Sequence, residues 1–146
     1  MNSTTKIVAN RDSMSVLSDK KILIVDDDPL IVRTVAAFLR QGGFHELRHE
    51  IDSRRVIEAI DDFKPDMVLL DIFMPHICGL ELLERISTNS DFDDVIVLML
   101  SAAGQDEERT SLEMGAMGFL PKPTGAEELI RIVSTTFRIA HRFGTR

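Results

Sequence analysis

Short apolar runs that alternate with segments of helical periodicity are the feature that most constrains the fold of this chain. The clearest runs are Ile22–Val25, Met67–Leu70 and Val95–Leu100, and weaker ones occur at His45–Ile51 and Gly118–Pro121. Runs of this length and β-branched content are typical of strands that a parallel sheet buries on both faces. The alternation of apolar and polar residues in His45–Ile51 instead indicates an edge strand.

The segments between these runs have the spacing of amphipathic helices, with apolar residues at i, i+4, i+7 and i+8. This pattern is formed by Ile31, Val35, Phe38 and Leu39, and near the end of the chain by Leu129, Ile132, Val133, Thr136, Phe137 and Ala140. Local signals mark the helix ends: Asp28 before Pro29, the Gly42-Gly43 pair, Asp52 with Ser53, Gly115, and Thr124 with Glu127.

Together these patterns predict five β-then-α units between about residues 20 and 142. Strands that are joined through helices lie parallel, and their crossovers are right-handed. The predicted fold is therefore α/β, a three-layer sandwich with a five-stranded parallel sheet and five helices. The number of units does not determine the strand order.

The ends of the chain are predicted to lie outside this domain. Residues 1–19 are rich in Ser, Thr, Asn and Asp, which indicates a flexible N-terminal arm or a short docking helix. Residues 143–146 form a short tail. Because so little follows the last helix, we expect either a stand-alone domain that acts through protein contacts or a fragment of a longer protein.

Composition and charge exclude several classes of protein. A net charge of −7 disfavours direct DNA binding, which needs Lys and Arg at phosphates. The longest apolar run is far shorter than the roughly 20 residues that cross a bilayer, so we expect no membrane insertion. No secretory signal is visible, and the single cysteine, Cys78, cannot form an internal disulfide. These features predict a cytoplasmic protein.

Polar residues follow four of the predicted strands at the edge where ligands bind in parallel sheets. They are Asp26-Asp27-Asp28, Asp71, Ser101 and Lys122 between two prolines. Clustered carboxylates repel one another unless a cation lies among them, and Mg²⁺ prefers oxygen ligands. An Asp carboxylate can attack phosphorus to give an acyl phosphate, while Lys and a hydroxyl can stabilise the transferred group.

Each of these residues also has a purely structural explanation. Asp26 or Asp27 can be a turn residue, and Asp28 can cap a helix. Asp71 can cap a strand end, Ser101 can be a cap or turn hydroxyl, and Lys122 can be a solvated surface lysine. Their joint placement at successive strand ends is what favours a phosphoryl-accepting site.

At this point the sequence resembles the receiver domain of bacterial response regulators, over about residues 20–142. The resemblance is carried by Ile22–Pro29, Met67–Pro75 with Gly79, Leu100–Ala103 and Gly118–Pro123. It implies a flavodoxin-like sheet of order 2-1-3-4-5. It also implies a phospho-accepting module of a two-component phosphorelay rather than an enzyme.

The resemblance further implies a role for each matching position. Asp71 is the expected phospho-acceptor, and Lys122, before a cis Lys122-Pro123 bond, is expected to pair with the phosphoryl oxygens. Asp27 is an expected direct Mg²⁺ ligand, and Asp26 is expected to hold the ion partly through water. The backbone carbonyl of Phe73 completes the expected protein ligands.

The family also implies a donor, a switch and partners. The expected donor is a phosphohistidine on a sensor histidine kinase or a histidine phosphotransfer protein. Ser101 and Phe119 are the expected switch residues, which would change the surface of the fourth helix, fifth strand and fifth helix for a downstream protein partner. A homodimer through that surface is a further family-based expectation.

Two single positions and one loop depart from the family pattern. Phe73 and Ala103 place apolar side chains where the family's side chains flank the phosphoryl group. Neither can orient an attacking water, so we expect slow to moderate self-dephosphorylation. His76-Ile77-Cys78 replaces the more usual loop sequence before Gly79, which indicates an unusual choice of partner.

Two other functions compete with this interpretation. A pseudo-receiver would signal without phosphate, which the intact set of acidic, hydroxyl and lysine residues disfavours. A haloacid-dehalogenase-like phosphatase would use Asp26 and Asp28 in an Asp-x-Asp motif. That family usually has Thr or Val where this chain has Leu30.

Overall fold

The fold is a five-stranded sheet covered by helices on both faces, seen in a computed structural model that describes residues 17–102 and 104–142. The strands are β1 (Lys21–Val25), β2 (Glu46–Glu50), β3 (Met67–Leu70), β4 (Ile96–Ser101) and β5 (Gly118–Pro121). The helices are α1 (Pro29–Gln41), α2 (Val56–Phe63), α3 (Gly79–Ser87), α4 (Gln105–Glu113) and α5 (Ala126–Arg142). Short 3-10 turns lie at Ser53–Arg55 and Ser90–Phe92.

All neighbouring strands are parallel, and their order is β2-β1-β3-β4-β5, which confirms the predicted fold and order. The register aligns the carboxyl ends of the central strands, because Val25 pairs with Leu70 and Leu70 pairs with Met99. The residues that follow β1 and β3 therefore lie side by side at one edge of the sheet.

Alternating strand residues divide the core into two layers. One layer packs Ile22, Ile24, Met67, Leu69 and Leu98 against α1 and α5. The other packs Leu23, Val25, Val68, Leu70 and Val97 against α2 and α3. The continuous apolar runs are therefore buried on both faces, as predicted.

The predicted helix ends are largely confirmed. Asp28 caps α1 by accepting a hydrogen bond from the Leu30 backbone at 2.9 Å, and Pro29 is the first helical residue. Gly43 and Gly115 have positive φ angles of 93° and 111°, the left-handed region that glycine tolerates best. Gly42 has a φ of −83°, so it does not adopt the left-handed conformation. The strand bounds shift slightly, since β4 includes Ser101.

The predicted N-terminal arm and C-terminal tail lie mostly outside the described residues. Within the described part, residues 17 and 18 are helical, and Leu17 packs against the core layer beside α1 and α5. Among the described residues, no helix is long and apolar enough to span a membrane.

Candidate functional site

Three aspartates meet at the carboxyl ends of β1 and β3. Asp26 and Asp71 are buried, with 3% and 5% of their surface exposed, and Asp27 is exposed. One carboxylate oxygen from each of the three lies within 4.8 Å of the others. Backbone N–H groups orient the buried pair: Asp28 donates to Asp26 at 3.0 Å and Ile72 donates to Asp71 at 2.8 Å.

Lys122 reaches the aspartates from the end of β5. Its ammonium donates to Asp26, and its Nζ lies 3.5 Å from the Oδ2 of Asp71. Its backbone N–H donates to the Ser101 carbonyl at 2.9 Å, which attaches this loop to β4. The Lys122-Pro123 bond is cis, so that prediction is confirmed.

The balance of charge at this edge is negative. Three carboxylates face one ammonium, which leaves an excess of two negative charges. Burial raises the pKa of Asp71 above its usual range, and the nearby Asp26 charge acts in the same direction. Lys122 and hydrogen bonds from the Ser101 hydroxyl and the Ile72 backbone oppose that rise without cancelling it.

This donor set fits a hard divalent cation. Carboxylate oxygens are the ligands that Mg²⁺ prefers, and an ion of charge two matches the excess negative charge of the cluster. Asp26, Asp27 and Asp71 could all contribute oxygens. Phe73 follows Asp71 by two residues and exposes 58% of its surface. The role of its backbone carbonyl as a ligand stays a prediction.

The loop that follows Asp71 is held tightly at Gly79. The Gly79 N–H donates to the Ile72 carbonyl at 2.7 Å, which closes the loop onto the residue after Asp71. A Cβ atom at this position would lie 2.0 Å from the backbone oxygen of Asp71, closer than any real contact. Only glycine therefore allows α3 to begin so near the site.

The predicted switch residues lie on the two strands beside the site. Ser101 is fully buried at the end of β4 and pairs with Pro121 of β5. Phe119 is half-buried in β5 and packs against the core layer beside α2 and α3. Their switching stays a prediction, and Ala103 lies outside the described residues.

Ser53 contacts the loop after Asp71, which the sequence does not predict. The sequence indicates only that Asp52 and Ser53 open a helix, and Asp52 does cap the 3-10 turn before α2. In the fold the buried Ser53 hydroxyl also bonds to the loop after Asp71, at Pro75 and Ile77. No local pattern indicates a bond between segments so distant along the chain.

Comparison with known proteins agrees with this geometry. Residues 22–134 match the response regulator receiver domain family. The phosphate regulon transcriptional regulatory protein PhoB of Pseudomonas aeruginosa is 33% identical over 120 residues, which is 82% of this chain and 52% of PhoB. The response regulator MprA of Mycolicibacterium vanbaalenii is 36% identical over 112 residues, 75% of this chain and 47% of MprA. The chain thus spans about half the length of these curated relatives.

Solved structures show the same fold. The chemotaxis protein CheY4 of Vibrio cholerae aligns with a TM-score of 0.73 and 26% identity, covering 80% of this chain and 97% of CheY4. A CheY-like receiver domain protein of Methanospirillum hungatei aligns with a TM-score of 0.77 and 25% identity, covering 84% of this chain and 97% of that one. The family match, the relatives and the strand order agree, and the chain belongs to the response regulator receiver domain family.

Proposed function

We propose that this domain accepts a phosphoryl group on Asp71 in a two-component phosphorelay. The observation that carries the proposal is the meeting of Asp71 with two further aspartates and Lys122 at one sheet edge. The donor we propose is a phosphohistidine on a sensor histidine kinase or a histidine phosphotransfer protein. The domain would carry the phosphate and would promote only its own phosphorylation and dephosphorylation.

The chemistry of transfer follows from the side chains at the site. A carboxylate oxygen of Asp71 attacks phosphorus, and the bond from phosphorus to the donor imidazole breaks. The imidazole nitrogen leaves with the electron pair. The Asp71 carboxylate is held by the Ile72 N–H, which leaves its other oxygen toward Lys122. The Lys122 ammonium pairs with the phosphoryl oxygens as their charge develops.

Mg²⁺ is the cofactor we propose, held by Asp26, Asp27 and Asp71 with the Phe73 carbonyl. When bound, it would neutralise the carboxylates and the charge on the transferring group. The excess of two negative charges supports this assignment, since metal-free carboxylates would repel an anionic donor.

We further propose that phosphorylation changes the α4-β5-α5 surface for a downstream protein. Ser101 is fully buried and hydrogen-bonds to Asp71, so its hydroxyl lies where a phosphoryl oxygen could recruit it. Phe119 lies on the neighbouring strand and could turn into the vacated space. In this proposal two packings exchange, and phosphate shifts their populations. A homodimer through this surface and a cytoplasmic location remain predictions.

Incubation with acetyl phosphate and Mg²⁺, followed by intact mass, tests the proposal. We expect one adduct of about 80 Da, and no adduct when EDTA is present throughout the incubation. Absence of any adduct would favour a phosphorylation-independent pseudo-receiver. Continuous hydrolysis of small phosphate esters without a stable adduct would favour a phosphatase.

A further inference from the structure

A buried serine lies beneath the loop that follows the proposed acceptor. Ser53 exposes 2% of its surface and begins the 3-10 turn that Asp52 caps. Its hydroxyl donates to the Pro75 carbonyl at 2.5 Å and accepts from the Ile77 N–H at 3.1 Å. The Ser53 hydroxyl therefore acts as both donor and acceptor toward the same loop.

The part of the loop that Ser53 holds is a strained turn. The Ile77 N–H also donates to the Pro75 carbonyl at 3.0 Å, which closes a three-residue γ-turn. His76, at its centre, has a φ of 74°, a conformation that non-glycine residues rarely adopt. Such strain persists where the surroundings fix it. Ser53 does so here, because it bonds to both ends of the turn.

This turn holds one end of the short segment that contains Phe73, whose carbonyl is the expected ligand. Ile72 holds the other end, because its N–H donates to Asp71 at 2.8 Å and its carbonyl accepts from Gly79 at 2.7 Å. Between Ile72 and Pro75 lie only Phe73 and Met74. Phe73 and the γ-turn residues Pro75 and His76 are exposed. Their outer surfaces are therefore not packed against the part of the chain that the structure describes.

We propose that Ser53 is a positioning residue for Mg²⁺ binding and phosphoryl transfer. Its hydroxyl fixes the backbone of the Phe73 segment, so that the carbonyl of Phe73 is presented without a further ordering cost when the ion binds. In this role Ser53 acts through the loop backbone and is not itself a ligand of the ion or the phosphate. The inference rests on the function proposed above, but it can be tested through Mg²⁺ binding alone.

Mg²⁺ affinity is the readout that separates positioning from stability. Ser53→Ala should weaken Mg²⁺ binding roughly tenfold in calorimetric titration, as loss of a supporting hydrogen bond around a metal site does. Ser53→Thr keeps the hydroxyl and should recover most of the affinity. The matched control is Ser111→Ala in α4, because Ser111 is fully buried and its hydroxyl donates to the Glu108 carbonyl at 2.9 Å. This control should bind Mg²⁺ as the wild type does.

Amide hydrogen exchange in the wild type gives a second test that needs no variant to fold. Coupling between two sites is reciprocal, so a clamp that favours Mg²⁺ must itself be strengthened by Mg²⁺. Saturating Mg²⁺ should therefore slow exchange at the Ile77 amide more than at the amides of α5. Equal slowing at both places would overturn the proposal.

The remaining outcomes also decide. Unchanged Mg²⁺ affinity in Ser53→Ala, or an equal loss in Ser111→Ala, would overturn the role of Ser53. A wild type that binds Mg²⁺ but takes no phosphate would refute the proposed function and leave the Mg²⁺ comparison of the variants decisive. A wild type that binds no Mg²⁺ would overturn both proposals.

Discussion

Replacing Asp71 with Asn should stabilise the metal-free protein at neutral pH. The substitution nearly preserves the shape of the side chain and removes one charge from a cluster that has an excess of two. The removed charge is buried, and both of its aspartate neighbours carry the same sign. Asp71, the residue proposed to receive the phosphate, is thus expected to destabilise the metal-free protein.

The distances give the scale of this effect. At an effective dielectric constant of about 20, the 3.5 Å separation of Asp71 from Lys122 corresponds to an attraction of about 5 kcal/mol. Asp26, within 4.8 Å, repels Asp71 by at least about 3.5 kcal/mol. Asp27 adds a smaller repulsion because it is exposed and screened. These contributions nearly cancel, so burial of the charge decides the sign, and we expect a gain on the order of 1–2 kcal/mol.

The pH dependence follows from the direction of the Asp71 pKa shift. Because the pKa of Asp71 is raised in the fold, the folded protein binds this proton more tightly than the unfolded chain does. The stability from protonation is fully present below the usual Asp pKa and is lost as the pH rises through the raised value. The advantage of Asp71→Asn should therefore be largest at neutral pH and shrink as the pH falls through the raised pKa.

Urea unfolding followed by far-UV circular dichroism measures this difference, since the chain has no Trp or Tyr for fluorescence. At saturating Mg²⁺ the wild type should become the more stable of the two, because the ion is expected to bind the native wild type. The variant lacks one of the proposed ligands. The control Asp106→Asn removes an exposed charge that pairs with Arg109 at 3.2 Å, and should change stability by less than about 0.5 kcal/mol. An Asp71→Asn protein less stable than wild type in EDTA would refute the reasoning.

Three further predictions concern the geometry around Asp71, the proposed acceptor. Gly79→Ala should cost about 3 kcal/mol or more in urea unfolding, because its Cβ would lie 2.0 Å from the Asp71 carbonyl oxygen, whereas Gly125→Ala, with nothing within 4 Å, should be nearly neutral. Lys122→Met should slow acyl phosphate formation by about 10²-fold or more, measured by intact mass against time, because one fixed positive partner is lost. The acyl phosphate should persist for minutes, measured as adduct decay after donor removal, because the apolar Phe73 side chain cannot orient an attacking water.

Each of these has a clear contrary result. Equal stability of the two glycine variants would mean that the loop can relax around a Cβ at Gly79. An unchanged rate in Lys122→Met would remove this lysine from the transfer step. Loss of the adduct within seconds would show that water reaches the phosphoryl group without help from the Phe73 position.

The strands and their burial could be predicted because the relevant signal is local. Runs such as Met67–Leu70 are short and apolar without alternation, which is the pattern of a strand covered on both faces. The strand order is different, since five βα units are compatible with several orders. It was predicted only through the family resemblance, and the structure confirms it.

The site divides in the same way. Asp26, Asp71 and Lys122 could be predicted to meet because parallel strands end at one edge. The pairing of Lys122 with both aspartates depends on side-chain directions that no sequence pattern fixes. Ser53 could not be predicted, because its role depends on a bond to a loop that follows another strand.

Intact mass and site mapping after acetyl phosphate treatment test the central claim most directly. In the presence of Mg²⁺, the wild type should gain a single adduct of about 80 Da that maps to Asp71, and Asp71→Asn should gain none under the same conditions. An adduct of equal yield in Asp71→Asn, or a wild type that remains unmodified, would contradict the claim that Asp71 carries the phosphoryl group.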